Sequence, residues 1–153
     1  MGEIKFDESQ IIVMEDQLKQ DDVLKRLAGL LKEKGYTKES YSAAVREREK
    51  IFPTGLFTGQ INVAIPHCDI VNVNEAAICV GILKESTQFA RMDGPESKID
   101  VNLVIMLALT EAHGHIEMLQ KIVSLIQNQE VVRQIVTSEN KKDIYEILKT
   151  HLF

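Results

Sequence analysis

Two stretches, AAICVGIL at residues 76–83 and VNLVIMLAL at residues 101–109, are apolar at almost every position. Both have strand length and neither is long enough to span a bilayer. A strand that is apolar on both sides needs cover on both sides. The pair therefore predicts the middle of a sheet clad by helices, with Asp93, Gly94 and Pro95 marking a turn between the strands. Working outward, Ile11–Val13 reads as a short first strand and Asn62–Ile65 as another, halted by Pro66. Val23, Leu24, Leu27, Leu30 and Leu31 fall on one helical face, with Asp21 and Asp22 at its start and Gly35 past its end. Thr37 is the expected N-cap of a second helix running to about Lys50, stopped by Pro53 and Gly55. After Leu109 the period becomes helical: Ile116, Leu119, Ile122, Val123 and Ile126 form one stripe, followed by a break near Asn128, a short helix over Val131–Val136 and a closing amphipathic helix over Lys141–Leu148. Helices before, between and after the strands, without strict βαβ alternation, predict an α+β fold. Its expected form is a three-layer α/β/α sandwich around a central mixed β-sheet, in one domain over residues 1–153.

Composition narrows the function. The net charge of −5 at pH 7 lacks the basic excess of a nucleic-acid binder. The N-terminus MGEIKFDESQ has no basic head followed by an apolar core, so it does not read as a secretory signal, and Phe6 breaks the myristoylation pattern. Cys68 and Cys79 lack C-x-x-C spacing and read as two thiols of a cytoplasmic protein. No Walker-type loop, G-x-S-x-G elbow or G-x-G-x-x-G supports nucleotide, acyl or nicotinamide chemistry, and no cofactor is called for.

The chemistry gathers on histidines. His67 follows Pro66 at a strand end, so it is delivered on a constrained backbone. A neutral imidazole so placed serves as a nucleophile toward phosphorus or a metal ligand, or merely caps the strand. Arg48 lies seven residues from Tyr41 and four from Ala44, on the apolar side of its helix. An arginine there needs an anionic partner, either a carboxylate or a phosphoryl group gripped by its planar fork. His115 stands in line with Leu119, Ile122 and Ile126 in a first helical turn, where the helix dipole favours anions and a neutral ring. His67, His113 and His115 with Cys68 or Asp69 also permit a zinc site, on the weak signal of H-x-H without H-E-x-x-H. His151, near the C-terminus, is expected in solvent.

Arg48-Glu49-Lys50-Ile51-Phe52-Pro53-Thr54-Gly55, then Val63-Ala64-Ile65-Pro66-His67-Cys68, then His115-Ile116 and its striped helix, resemble enzyme IIA of the fructose–mannitol class of the bacterial phosphoenolpyruvate-dependent sugar phosphotransferase system. The FPTG and IPHC segments look most like the galactitol-type subgroup. The resemblance implies that His67 accepts a phosphoryl group from the phosphocarrier protein HPr and gives it to a cysteine of enzyme IIB, which serves a membrane enzyme IIC. It implies that His115 is the second active-site histidine and that Arg48 stabilises the phosphoryl group. It implies a cytoplasmic phosphotransferase acting in sugar uptake, with no metal, nucleic acid or membrane insertion of its own. The competing expectations are a stand-alone nitrogen-type regulatory protein, a zinc-dependent hydrolase and a non-catalytic scaffold.

Overall fold

The computed structural model describes residues 3–111 and 115–153. Its elements in chain order are β1 (Ile11–Met14), α1 (Gln20–Glu33), α2 (Tyr41–Ile51), β2 (Gly55–Leu56), β3 (Asn62–Ala64), β4 (Ala77–Arg91), β5 (Gly94–Ala108), α3 (Ile116–Gln127), α4 (Gln129–Thr137) and α5 (Lys141–Leu152). The two apolar runs lie in β4 and β5, which pair antiparallel; β1 lies parallel to β4 on its other edge. β3 runs parallel to β5 and antiparallel to β2, and β2 touches back on β4 at Arg91, so the sheet is mixed.

The period-2 alternation of side chains sorts the two central strands into two cores. Ala77 and Cys79 of β4 and Val104, Met106 and Ala108 of β5 face α1 and α2, where they meet Leu24, Leu27, Leu31, Tyr41 and Val45. Ile78, Val80 and Ile82 with Leu103, Ile105 and Leu107 face the other way, against Ile122, Ile126, Val132, Ile135, Ile144 and Leu148 of α3, α4 and α5. The expected three layers are thus present, with helices on both faces. Gly81 points toward α1, and a Cβ there would sit 3.3 Å from Leu27 Cδ1, so the glycine lets the helix close on the sheet. Gly35, just beyond α1, has φ +82°, a conformation that costs glycine little. Among the described residues no helix is long and apolar enough to cross a membrane.

Several expectations need correction. The central strands are nearly twice the length expected, because polar residues of KESTQFAR and PESKID continue the pairing on a partly solvated hairpin end. The turn is Met92-Asp93, with Gly94 already in β5. Thr37 does not cap α2: it forms a β-bridge with Val73, and Ser40 precedes the helix. The α3 stripe is rotated from the expected one. Met118, Ile122, Leu125 and Ile126 are buried, while Ile116 and Val123 face solvent.

Candidate active site

β3 and β5 run parallel, and their C-terminal ends lie together at one edge of the sheet. Past β3 the chain continues through Ile65 and Pro66, whose carbonyl accepts the Leu107 N–H at 2.9 Å. This bond fastens the strand end beside β5 and delivers His67 next to the chain that leaves β5 toward Leu109. The His67 ring is half-buried, and its Nδ1 lies 2.9 Å from the Ile65 carbonyl oxygen. A carbonyl can only accept, so Nδ1 carries the hydrogen and Nε2 is left as the lone-pair nitrogen.

His67 lines a cleft of about 420 Å³ together with Arg48, Asp69, Val71, Leu109 and Glu111. Arg48 enters from the last turn of α2. Its guanidinium carbon is 5.1 Å from the centre of the Phe52 ring, and Nη1 is 4.0 Å from the exposed Asp69 carboxylate. Its buried Nε has no hydrogen-bond partner among the described residues. The guanidinium is therefore held by loose contacts, and its planar fork lies in the same cleft as His67. The residue of this turn that faces the core fully is Glu49, four positions after Val45 and eight after Tyr41. Arg48 is only half-buried beside it, a small rotation from the expected stripe.

Glu49 is 4% exposed. Its Oε2 accepts the Thr54 N–H at 2.7 Å and its Oε1 accepts the Thr54 hydroxyl at 2.8 Å. Burial pushes its carboxyl up to about 7, against the lowering effect of the Thr54 hydrogen bonds and the nearby Arg48 charge. Nothing in the short-range amino-acid pattern singles this residue out as part of the site; the i, i+4, i+8 spacing from Tyr41 is the signal that could have found it.

His115 occupies the N-cap position of α3, with 4% of its surface exposed. Its Nε2 lies 3.4 Å from Thr110 Oγ1, a long hydrogen bond. Thr110 adjoins Leu109 of the cleft wall, so His115 sits behind that wall, and the cleft lining includes His67 and Arg48 but not His115. Cys68 is buried beside the site, and burial pushes its thiol up to about 11, which keeps it a protonated neighbour at neutral pH. His151 is exposed, as expected. His113, the third imidazole of the weak zinc alternative, lies outside the described residues; among the described residues no three His, Cys, Asp or Glu side chains are grouped to hold a metal ion.

A lone-pair nitrogen on an oriented ring, with a guanidinium donor in the same cleft, suits attack on an anionic electrophile such as a phosphoryl group. The chain is 29% identical over 116 residues to the "PTS system fructose-specific EIIABC component" of Bacillus subtilis, a match covering 74% of this chain and 17% of that protein. It is 26% identical over 116 residues to the "PTS system galactitol-specific EIIA component" of Escherichia coli, covering 76% and 77%. The fold matches enzyme IIA of mannitol transport from Escherichia coli, solved in complex with phosphorylated enzyme IIB. There the TM-score is 0.79 at 18% identity, over 96% of this chain and 99% of that one. The profile of the family "Phosphoenolpyruvate-dependent sugar phosphotransferase system, EIIA 2" matches residues 5–151, and the chain belongs to that family.

Proposed function

We propose that residues 1–153 form one phosphocarrier unit that accepts a phosphoryl group from phospho-HPr on His67 and passes it to a cysteine of enzyme IIB, in the cytoplasm, for uptake of a galactitol-like sugar through enzyme IIC. The observation that carries this is the His67 ring: its Nδ1 is engaged by the Ile65 carbonyl, and it shares a cleft with Arg48. Support for the carrier role comes from family membership. Support for the cargo comes from the galactitol component, of whose length the match covers 77%.

In the first step His67 Nε2 gives its lone pair to phosphorus. The N–P bond forms as the donor's bond to phosphorus breaks, and the donor's leaving nitrogen keeps that electron pair. Positive charge grows on the His67 ring, and the Nδ1–H···O=C bond to Ile65 spreads it. The equatorial oxygens carry the negative charge of a loose transition state. Arg48, in the same cleft, meets them with its planar guanidinium fork. His115, at the start of α3, acts as the second active-site histidine through Thr110, beside the cleft wall, where the helix N-terminus adds positive potential. In the second step the enzyme IIB thiolate attacks phosphorus, the S–P bond forms, and the N–P electron pair returns to Nε2.

Incubation with phosphoenolpyruvate, enzyme I and HPr is expected to add a single acid-labile phosphoryl group, mapped to His67 by mass spectrometry. His67→Ala is expected to carry none. Undiminished labelling of that variant would remove His67 from the role.

A further inference from the structure

Glu49 does not line the cleft that holds His67, yet the two are joined by a continuous run of hydrogen bonds. His67 Nδ1 is 2.9 Å from the Ile65 oxygen, the Ile65 N–H donates to the Thr54 oxygen at 3.3 Å, and the Thr54 N–H donates to Glu49 Oε2 at 2.7 Å. Every donor in the series points toward the carboxylate. We propose that Glu49 is a positioning residue for the phosphoryl-accepting ring, setting the place of the Ile65 carbonyl through Thr54. The proposal rests on the assignment of His67 above.

The weakness of the local sheet makes an anchor necessary. β2 and β3 share only the pairs Gly55↔Ala64 and Leu56↔Val63, and the Thr54–Ile65 bond extends this ladder by one long link at its end. Ladder ends fray when nothing fastens them. β5 holds β3 as far as Ala64↔Val104, and beyond that residue two contacts fasten the end: the Pro66 carbonyl on Leu107, and Glu49 on Thr54. The second comes from α2, the helix that presents Arg48 one residue earlier. Glu49 therefore ties the helix end that carries the guanidinium to the strand end that carries the imidazole.

The chemistry of the clamp fits a geometric role. Pro53 has no N–H, so Thr54 supplies the first backbone donor after Phe52. A carboxylate oxygen reaches that donor whether Glu49 is ionised or neutral, because one oxygen always remains an acceptor. Glu49 forms no salt bridge among the described residues. The hydrogen-bonded turn, rather than a charge pair, is what its burial secures.

The test uses the full chain with isotope-labelled histidine, and NMR of the ring nitrogens reports which one carries the hydrogen. Phosphoryl uptake from phospho-HPr is measured in parallel. Glu49→Leu removes the acceptor, Glu49→Asp keeps the charge but withdraws the oxygens by one methylene, and Glu49→Gln keeps an oxygen at the original reach. The Leu and Asp variants are expected to shift neutral His67 toward the Nε2–H tautomer and slow uptake by about tenfold to a hundredfold, as misplacement on the ångström scale does. The Gln variant is expected to retain the wild-type ring spectrum and most of the rate. A purely structural clamp would lower thermal stability and leave the ring signals alone. Wild-type ring signals and rate in the folded Leu or Asp variant, or a Gln variant as impaired as Asp, overturns the proposal. If the Leu variant does not fold, the Asp and Gln pair decides. A wild-type chain that takes no phosphoryl group on His67 overturns the functional assignment, while the ring spectra still judge Glu49.

Discussion

Exchange of Glu49 for Gln isolates the cost of keeping an ionised carboxylate in the core. The folded protein holds the Glu49 proton up to about 7, whereas an exposed glutamate releases it near 4.5. Across that window folding takes up a proton, so stability is fully present below 4.5 and falls as the pH rises through about 7. At about 1.4 kcal/mol per pH unit, the fall from this one group is about 3 kcal/mol. A glutamine side chain would be neutral at every pH and would keep an acceptor for the Thr54 N–H, so Glu49→Gln is expected to lack that fall. Urea unfolding followed by circular dichroism at several pH values, on both proteins, provides the comparison. With a urea m-value of about 2 kcal/mol/M for a chain of this size, the wild-type midpoint should drop about 1.5 M further than the variant's. Every other group is common to both proteins and cancels in the difference. Asp7, whose carboxyl is lowered chiefly by its hydrogen bond from Ser9, acts in the opposite sense and only at more acid pH. Parallel stability curves for the two proteins would refute the account of Glu49 as a buried, reluctantly ionised group.

Arg48→Lys is expected to slow phosphoryl uptake by about tenfold or more despite the retained charge, because an ammonium cannot present a planar guanidinium fork; rapid-quench kinetics with phospho-HPr checks this, and an unchanged rate would exclude the fork. His115→Asn is expected to slow onward transfer to enzyme IIB while keeping a cooperative thermal transition. A collapse of that transition without a kinetic defect would make His115 a packing residue only. Gly55→Ala is expected to destabilise the fold by about 1–3 kcal/mol, because the new Cβ would lie 2.5 Å from the Ala90 carbonyl oxygen, a backbone atom that cannot swing aside; chemical denaturation measures it.

Much of the fold is legible in the amino-acid pattern because the central strands are apolar on both faces. The runs around Val80 and Ile105 can be satisfied only inside a sandwich, and parity alone assigns Cys79 and Met106 to one core and Val80 and Ile105 to the other. The outer halves of β4 and β5 are harder to read, since Lys84 and Glu85 interrupt the apolar run although pairing resumes at Thr87. Lys84 instead caps the end of α4, donating to the Val136 and Ser138 carbonyls at 3.0 and 3.1 Å. The α3 stripe differs from its expected position by a fraction of a turn because Ile116 and Val123 are apolar yet exposed. For the site, Pro66 before His67 and the helical position of Arg48 are local signals. Glu49 shows its burial through its helical spacing from Tyr41 and Val45, but not its link to the ring, because Thr54, Ile65 and His67 come together only through pairing that no short window of sequence displays.

The acceptor that holds the His67 ring belongs to the main chain. Side-chain drift at position 65 therefore leaves the tautomer intact, since every amino acid carries the same carbonyl. Chemical identity at that locus is free to wander among residues of suitable bulk, whereas an insertion or deletion between Thr54 and His67 would re-aim the nucleophile at once. Vulnerability at this locus thus lies in spacing rather than in composition.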